Sequence, residues 1–376
     1  MKTLADLAGQ VAGWLGGRRR LVWLAAGGLV AGVLLAAWLA TPPSLPNEAA
    51  VEVEVALPPP SAPSQPQAPP ASPAADPAAT PLGPGNAVTV PPVAADAFAA
   101  IPAAPRARPL PPAPDPALVE TAPEGALPRR GADGRLPWQA YARPFAVAEG
   151  RAPIAVIVNG LGSSAIVTGE IVRRLPADVT LAFEPAAANV AEWGRQARAA
   201  GHEILLGLPV QGGAFPFLDR GPDALAGDVA AAENRARLQR LLARLAGSVG
   251  ALANVGAEAG TAGDAAAAAA LELAGKELTE RGLLLVGPLV AEASGGEVPR
   301  LGVDLSIGPD ADAATARERL AELESIAAAK GHAVAIVEPT PAAAAALAAW
   351  AATLAGKPVV LAPVSAVARA VQARGR

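Results

Sequence analysis

Polar side chains stand at the ends of several short apolar runs in the second half of the chain, and their types could support binding or catalysis. They are Asn159, Glu184, Asn254, Glu258 and Glu338. Carboxylates and amides form hydrogen bonds with hydroxyl groups, so these residues would suit a sugar-binding groove if the fold gathers them at one rim. The alternative is that they are solvated polar groups of loops.

The residue types that most metal and nucleophile sites require are scarce. The chain has no cysteine, which excludes disulfides, thiolate metal sites and cysteine nucleophiles. Its two histidines, His202 and His332, each follow a glycine and begin an apolar run, so both are expected at the amino end of a sheet. A metal site made of carboxylates alone would favour Mg²⁺ or Ca²⁺ over zinc. With a net charge of −4, the chain also lacks the excess of Lys and Arg that nucleic-acid binding needs.

Short apolar runs alternate with amphipathic stretches from Pro153 onward. The predicted strands are Ile154–Val158, Val179–Phe183, Glu203–Leu208, Val249–Ala253, Leu283–Val286, Val303–Ile307, Ala333–Val337 and Val359–Leu361. The predicted helices are Ala165–Leu175, Val190–Ala200, Ala230–Leu245, Asp264–Arg281, Ala313–Lys330 and Pro341–Leu354. Apolar strands that alternate with helices indicate an α/β fold with a parallel sheet covered by helices.

Seven or eight such units predict a distorted (β/α)7-8 barrel, and a doubly wound open sheet is the alternative. In both folds a site lies beyond the carboxyl ends of the strands. The polar residues named first follow predicted strands, so they would lie at that end.

The first 150 residues differ in composition from the rest. Residues 21–40 form an uncharged apolar run preceded by three arginines at 18–20, which predicts a transmembrane anchor with residues 1–20 in the cytoplasm. A cleaved signal peptide is the alternative. Residues 41–150 hold 27 of the 40 prolines and are predicted to form a disordered Pro/Ala-rich tether. The folded domain is then expected to span 151–376.

Six segments of this domain carry a family resemblance. In chain order they are IAVIVNGLGSS (154–164), VTLAFEPAAANVAEW (179–193), AGHEILLGLPV (200–210), DRGPDAL (219–225), SVGALANVGA (248–257) and LAPVSAV (361–367). Together they resemble the divergent polysaccharide deacetylase family of bacterial envelope proteins, and the likeness covers about 150 to 370. The resemblance implies a distorted (β/α) barrel related to carbohydrate esterases.

The resemblance also implies a chemistry, because active relatives hold a divalent metal that activates a water for attack on an N-acetyl carbonyl. Their ligands are aspartates and histidines at the strand ends. The matching positions here carry other residue types, namely Asn159 and Gly160 for two aspartates, Gly207 and Asn254 for two histidines, Gly287 for an aspartate and Glu338 for a histidine. No position keeps its ligand type.

These observations lead to a hypothesis of a deacetylase-like protein that is anchored in the inner (cytoplasmic) membrane by a single span, with its C-terminal domain in the periplasm. We expect it to use no cofactor, to contact the lipid bilayer through residues 21–40, and to bind an envelope glycan or protein instead of catalysing a reaction. The alternative is an active deacetylase that uses Glu184, Glu258 and Glu338 with zinc or another divalent metal. A purely mechanical envelope role is a third possibility, so the sequence leaves open whether the chain is an enzyme.

Overall fold

The structure is a computed structural model that describes residues 93–212, 219–254, 264–288 and 290–375. Within these ranges the strands are β1 Val119–Ala122, β2 Gly125–Pro128, β3 Ala152–Leu161, β4 Thr180–Phe183, β5 Ile204–Pro209, β6 Gly250–Asn254, β7 Leu284–Gly287, β8 Arg300–Gly302, β9 Leu305–Ile307, β10 Ala333–Val337 and β11 Val359–Leu361. The helices are α1 Pro137–Ala140, α2 Ala165–Arg174, α3 Val190–Ala199, α4 Ala231–Arg244, α5 Asp264–Arg281, α6 Ala313–Lys330, α7 Pro341–Ala352 and α8 Val364–Arg374.

Strands β3 to β11 form one sheet in which every pairing is parallel, as predicted. The strand order is β8-β7-β6-β5-β4-β3-β10-β9, and β11 pairs with the first residues of β3. The end strands β8 and β9 are separated in the chain only by Val303 and Asp304. The single extended segment Arg300–Ile307 therefore pairs with β7 at its start and with β10 at its end, which makes the sheet curl like a barrel.

Two hydrophobic layers lie on the two sides of this sheet because side chains along each strand alternate in direction. The outer layer joins strand residues such as Val156 and Leu206 to the apolar faces of α2 to α7. The inner layer joins Ile157, Leu205 and their equivalents to valines of α8. Helix α8, which the periodicity analysis did not predict, thus closes the amino end of the curled sheet.

Side chains cap the N-termini of three helices. Ser164, Asp312 and Thr340 each accept a hydrogen bond from a backbone N–H in the first turn of α2, α6 and α7. Asn189, the residue before α3, has a left-handed backbone (φ 58°) and makes no capping hydrogen bond.

The predicted boundary at residue 150 differs from the structure, because the described residues 93–150 pack on the domain. Phe98, Leu118 and Trp138 are fully buried, and the β1–β2 hairpin lies against α4. The backbone N–H of Trp138 donates to the carbonyl of Gly282 at 3.0 Å. Proline suits extended backbone that lies along a surface, so proline content alone did not separate this docked segment from a disordered tether.

The predicted anchor (21–40) and the part of the predicted tether up to residue 92 lie outside the described residues. None of the helices in the described ranges has the length and hydropathy needed to cross a bilayer.

Candidate functional site

The inward-facing positions become polar at the carboxyl ends of the strands. Along β3, Ala155 and Ile157 belong to the inner layer, so the next inward residue is Asn159. The same alternation places Glu184, Asn254 and Glu338 on the inner side at the carboxyl ends of β4, β6 and β10. These four residues define what we call the mouth. The sequence analysis grouped these four residues with Glu258.

A bulge at the end of β3 positions the first pair of mouth residues. Between Val158 and Leu161 the register with β4 gains one residue, and Gly160 has φ +69°. Bulges of this kind re-aim a side chain at the edge of a site. Nδ2 of Asn159 donates to Oε1 of Glu338 at 3.1 Å, which joins the neighbouring strands β3 and β10.

The second pair of mouth residues, Glu184 and Asn254, meets across the intervening strand β5. This contact is possible because position 207 on β5 is a glycine and has no side chain. Nδ2 of Asn254 on β6 donates to Oε1 of Glu184, which follows β4, at 3.1 Å. Gly207 on β5 lies between them, and a Cβ built on it would be 3.6 Å from the same Oε1. Glycine at position 207 therefore leaves the space that this amide–carboxylate pair uses.

Arg220 adds a positive charge to the mouth, and the sequence analysis did not select it. Its Nη1 donates to Oδ1 of Asn254 at 3.2 Å. Its backbone N–H donates to Oε1 of Gln211 at 3.1 Å, and Nε2 of Gln211 in turn donates to Asp219 at 3.3 Å. The only sequence signal for Arg220 was its place in the DRGPDAL segment, since the contact with Asn254 is tertiary.

A cavity of about 530 Å³ opens beside the mouth. It is lined by Gly160, Gly162, Ser163, Glu184 and the alanines at 186–188. This volume lies within the usual range of small-molecule sites, about 300–1,000 Å³. Gly162 (φ +101°) permits the close approach of the two loops that form its wall, because a Cβ there would be 2.6 Å from Cβ of Ala187.

A larger cavity of 770 Å³ lies away from the strand ends, between the segment at 100–105 and α7. Its walls are mainly alanine and proline. Its charged residues already have partners, since Arg151 donates to the carbonyl oxygens of Leu354 and Val359 and Asp178 pairs with Arg143. Size alone therefore does not make it the better site.

The surroundings of Glu184 in the mouth favour its protonated form more than water does. Burial raises the pKa of Glu184, and the carboxylate of Glu338 acts in the same direction. The hydrogen bond from Asn254 and the charge of Arg220 oppose this shift.

Two sequence-selected positions are not part of the mouth described above. A Cβ on Gly287 would lie 2.6 Å from Cβ of Ala253 and 3.2 Å from Val290, which both belong to the outer layer. A side chain at position 287 would therefore point into the outer layer and away from the mouth. Glu258, the fifth residue of the expected groove, lies outside the described residues.

Both histidines lie at the opposite, amino end of the sheet, where the sequence analysis expected them. The ring of His202 is buried just before β5, with Nδ1 2.8 Å from the carbonyl oxygen of Val179. Burial lowers its pKa. His332 lies just before β10 and contacts Glu292 at 3.0 Å and Arg374 at 3.0 Å.

The donor set of the mouth does not fit the divalent-metal site that the family resemblance implies. In the described ranges no group of three or more His, Cys, Asp or Glu side chains could hold a metal ion. Each mouth carboxylate also accepts a hydrogen bond at Oε1 from an asparagine amide, and an amide N–H is not a metal ligand. No hydrolytic step through a metal follows from this arrangement.

The chain is similar to one described family and to solved structures. Residues 156–368 match the family described as divergent polysaccharide deacetylase. The structure of an uncharacterized protein from Agrobacterium tumefaciens is 31% identical, with a TM-score of 0.58, and the match covers 65% of this chain and 99% of that chain. A structure from Mycobacterium smegmatis described as a "putative polysaccharide deacetylase" is 18% identical, with a TM-score of 0.41 and coverage of 62% and 94%. No curated protein matches the chain.

Proposed function

The chain belongs to the divergent polysaccharide deacetylase family, and on that premise we propose that its mouth binds a glycan without hydrolysing it. The observation that carries the proposal is the pairing of each mouth carboxylate with an asparagine amide, Asn159 with Glu338 and Asn254 with Glu184. Such pairs offer both donors and acceptors to sugar hydroxyls. They offer no imidazole to a metal or to a leaving group.

The geometry supports binding in a second way, because the mouth is half-open. Glu184, Asn254, Glu338 and Arg220 are all partly exposed, whereas the inner-layer residues beneath them are buried. The adjacent cavity of about 530 Å³ gives room for a sugar ring. Backbone and side-chain hydrogen bonds hold Arg220 over Asn254, so the polar groups are preorganised.

The proposal includes a membrane location. Residues 21–40 are long and apolar enough for one span of the inner membrane, and the arginines at 18–20 favour a cytoplasmic N-terminus. The C-terminal domain would then face the envelope glycans of the periplasm. The docked segment 93–150 shortens the proposed tether to about residues 41–92, which still separates the domain from the bilayer.

Binding and hydrolysis can be separated in one experiment on the full-length chain in mild detergent. Hexamers of glucose, N-acetylglucosamine and glucosamine are titrated calorimetrically, and acetate release from the N-acetylated hexamer is followed with added zinc. We expect at least one hexamer to bind, with no acetate released. Asn254→Ala should weaken that binding at least about tenfold, because it removes the contacts of Asn254 with both Glu184 and Arg220.

The matched control is Arg319→Ala, which changes an exposed charge on α6 far from the mouth. Binding should be the same as for the unchanged chain. The absence of binding to all three hexamers would refute the proposal. Chelator-sensitive acetate release would instead support the active deacetylase that uses Glu184, Glu258 and Glu338.

A further inference from the structure

The larger cavity, of 770 Å³, has the walls of a site for an apolar ligand. One wall is α7, whose lining residues include Ala345, Ala348 and Ala352. The facing wall is the docked segment at 100–105, which contributes Ile101 and two prolines. Small-molecule sites are concave, mostly apolar and about 300–1,000 Å³ in volume. The cavity therefore suits an apolar group better than a sugar.

Hydrogen bonds hold the docked segment on α2, which keeps this cavity open. The backbone N–H of Ala104 donates to the carbonyl oxygen of Arg173 at 3.1 Å. Nη1 of Arg174 donates to the carbonyl oxygen of Ile101, whose side chain is buried. On the opposite wall the alanine side chains of α7 are too short to fill the space. The width of the cavity is thus set by backbone positions.

The solvent side of α7 is unusual for a surface helix. Residues 341–356 contain no charged residue, whereas α6, which packs on α7, carries charges such as Arg317 and Glu318. Ala349 and Ala352 of α7 are exposed and line the cavity. A surface helix normally has polar residues on its outer face, and an exposed apolar patch marks an interaction site. The sequence of α7 therefore points to an apolar ligand at the same place as the cavity does.

Arg151 gives the cavity a positive charge that no carboxylate of the described ranges neutralises by an ion pair. Its Nε and Nη2 donate to three backbone carbonyl oxygens, so Nη1 is left for a ligand. Arg174 of the lining pairs with Glu170, and Asp178 of the lining pairs with Arg143. The cavity thus combines apolar walls with one net positive charge. The three carbonyl oxygens are those of Leu354, Lys357 and Val359.

We propose that this cavity binds a single-chain fatty acid, with the hydrocarbon chain between α7 and the docked segment and the carboxylate at Arg151. The apolar walls match the chain, and a guanidinium forms strong, charge-assisted hydrogen bonds with a carboxylate. A free fatty acid is preferred to a two-chain phospholipid, because the volume is that of a small-molecule site. The inference goes beyond the proposed function, since the described linings of this cavity and of the cavity beside the mouth share no residue.

Photo-crosslinking of the full-length chain in phosphatidylcholine nanodiscs tests this at about pH 8, where carboxyl groups are ionised. The probe is hexadecanoate with a diazirine at its methyl end, and labelled peptides are identified by mass spectrometry. We expect saturable labelling of peptides that contain residues 100–105 or 345–355. Unlabelled hexadecanoate should compete at least about tenfold better than hexadecan-1-ol, because hydrogen bonds to charged groups are stronger than those to neutral groups.

Two identical substitutions separate the cavity from the surface. Ala348→Phe places a ring in the cavity and should remove most of the labelling. Ala328→Phe places the same ring at an exposed position of α6 and should leave the labelling unchanged. Arg151→Gln should abolish the preference for the acid over the alcohol, whereas Arg151→Lys, which keeps the charge, should retain most of it. Thermal unfolding of each variant shows that it is folded.

Three results would overturn the inference. The first is labelling that is absent from both walls or that persists in Ala348→Phe. The second is equal competition by the acid and the alcohol, and the third is an unchanged preference for the acid in Arg151→Gln. None of these results bears on glycan binding at the mouth, so this inference and the proposed function fail separately.

Discussion

The pair of Asn159 and Glu338 permits a sharp test of the mouth geometry. Asn159→Asp removes the Nδ2 donor and places a second carboxylate about 3 Å from Glu338, starting from a donor–acceptor distance of 3.1 Å. A hydrogen bond to a charged group contributes about 1.5–3 kcal/mol, and the repulsion adds to its loss. We therefore expect the free energy of unfolding to fall by about 2–4 kcal/mol at neutral pH.

The assay is thermal and urea unfolding of the full-length chain in detergent. A loss of this size corresponds to a fall in Tm of about 4–16 °C, since 1 kcal/mol shifts Tm by about 2–4 °C in domains of this size class. The loss should shrink in acid, because protonation of one carboxyl group relieves the repulsion and restores a donor. Two carboxylates this close cannot both ionise without cost.

A compensating change provides the matched control. In the double variant Asn159→Asp with Glu338→Gln, the amide and the carboxylate exchange sides, so a donor again faces an acceptor. At least half of the lost free energy of unfolding should return. If Asn159→Asp is as stable as the unchanged chain at neutral pH, or if the double variant recovers nothing, the contact described here is wrong.

Three further predictions concern other parts of the domain. Trp138→Ala should lower the free energy of unfolding by about 3–5 kcal/mol, because the ring of Trp138 is fully buried. The control Ile166→Ala, at a 46% exposed position, should change it by less than about 0.5 kcal/mol. An equally small loss for both variants would argue against a docked N-terminal segment. Glu184→Gln should stabilise the fold at neutral pH and not in acid. Burial raises the pKa of Glu184, so the stability linked to its protonated form is present at low pH and is lost as the pH rises through the folded pKa. Urea unfolding measured across pH tests this, and a variant that is less stable than the unchanged chain at neutral pH would contradict it. Gly207→His should lower the free energy of unfolding by about 1–3 kcal/mol, because the imidazole would enter the space between Glu184 and Asn254. Unchanged stability would show that the side chains of Glu184 and Asn254 do not meet over position 207.

Most of the sheet could be predicted from sequence because its strands are buried on both faces. Continuous apolar runs such as Ile154–Val158 give a strong signal, and Gly282 and Gly331 directly follow the helices that end at Arg281 and Lys330. Helix α8 was missed although Val364, Val367 and Val371 have helical spacing. The segment 93–150 was misassigned in its described part because its burial comes from isolated side chains such as Trp138.

The mouth could be predicted in part. Strand alternation is enough to place Asn159 and Asn254 on the inner side, and the same alternation applied to β7 would have shown that Gly287 faces outward. The contact between Asn254 and Glu184 could not be predicted, because it crosses an intervening strand. Arg220 was also beyond reach, since a loop brings it to Asn254 from 34 residues away.

The central claim is that the mouth binds glycan without a catalytic metal, and the zinc content of the purified chain tests it most directly. The full-length protein is incubated with excess zinc, dialysed and measured by elemental analysis, alongside Glu184→Gln and Glu338→Gln. The account predicts far less than one zinc per chain in all three samples. One zinc per chain that is lost in either variant would contradict it.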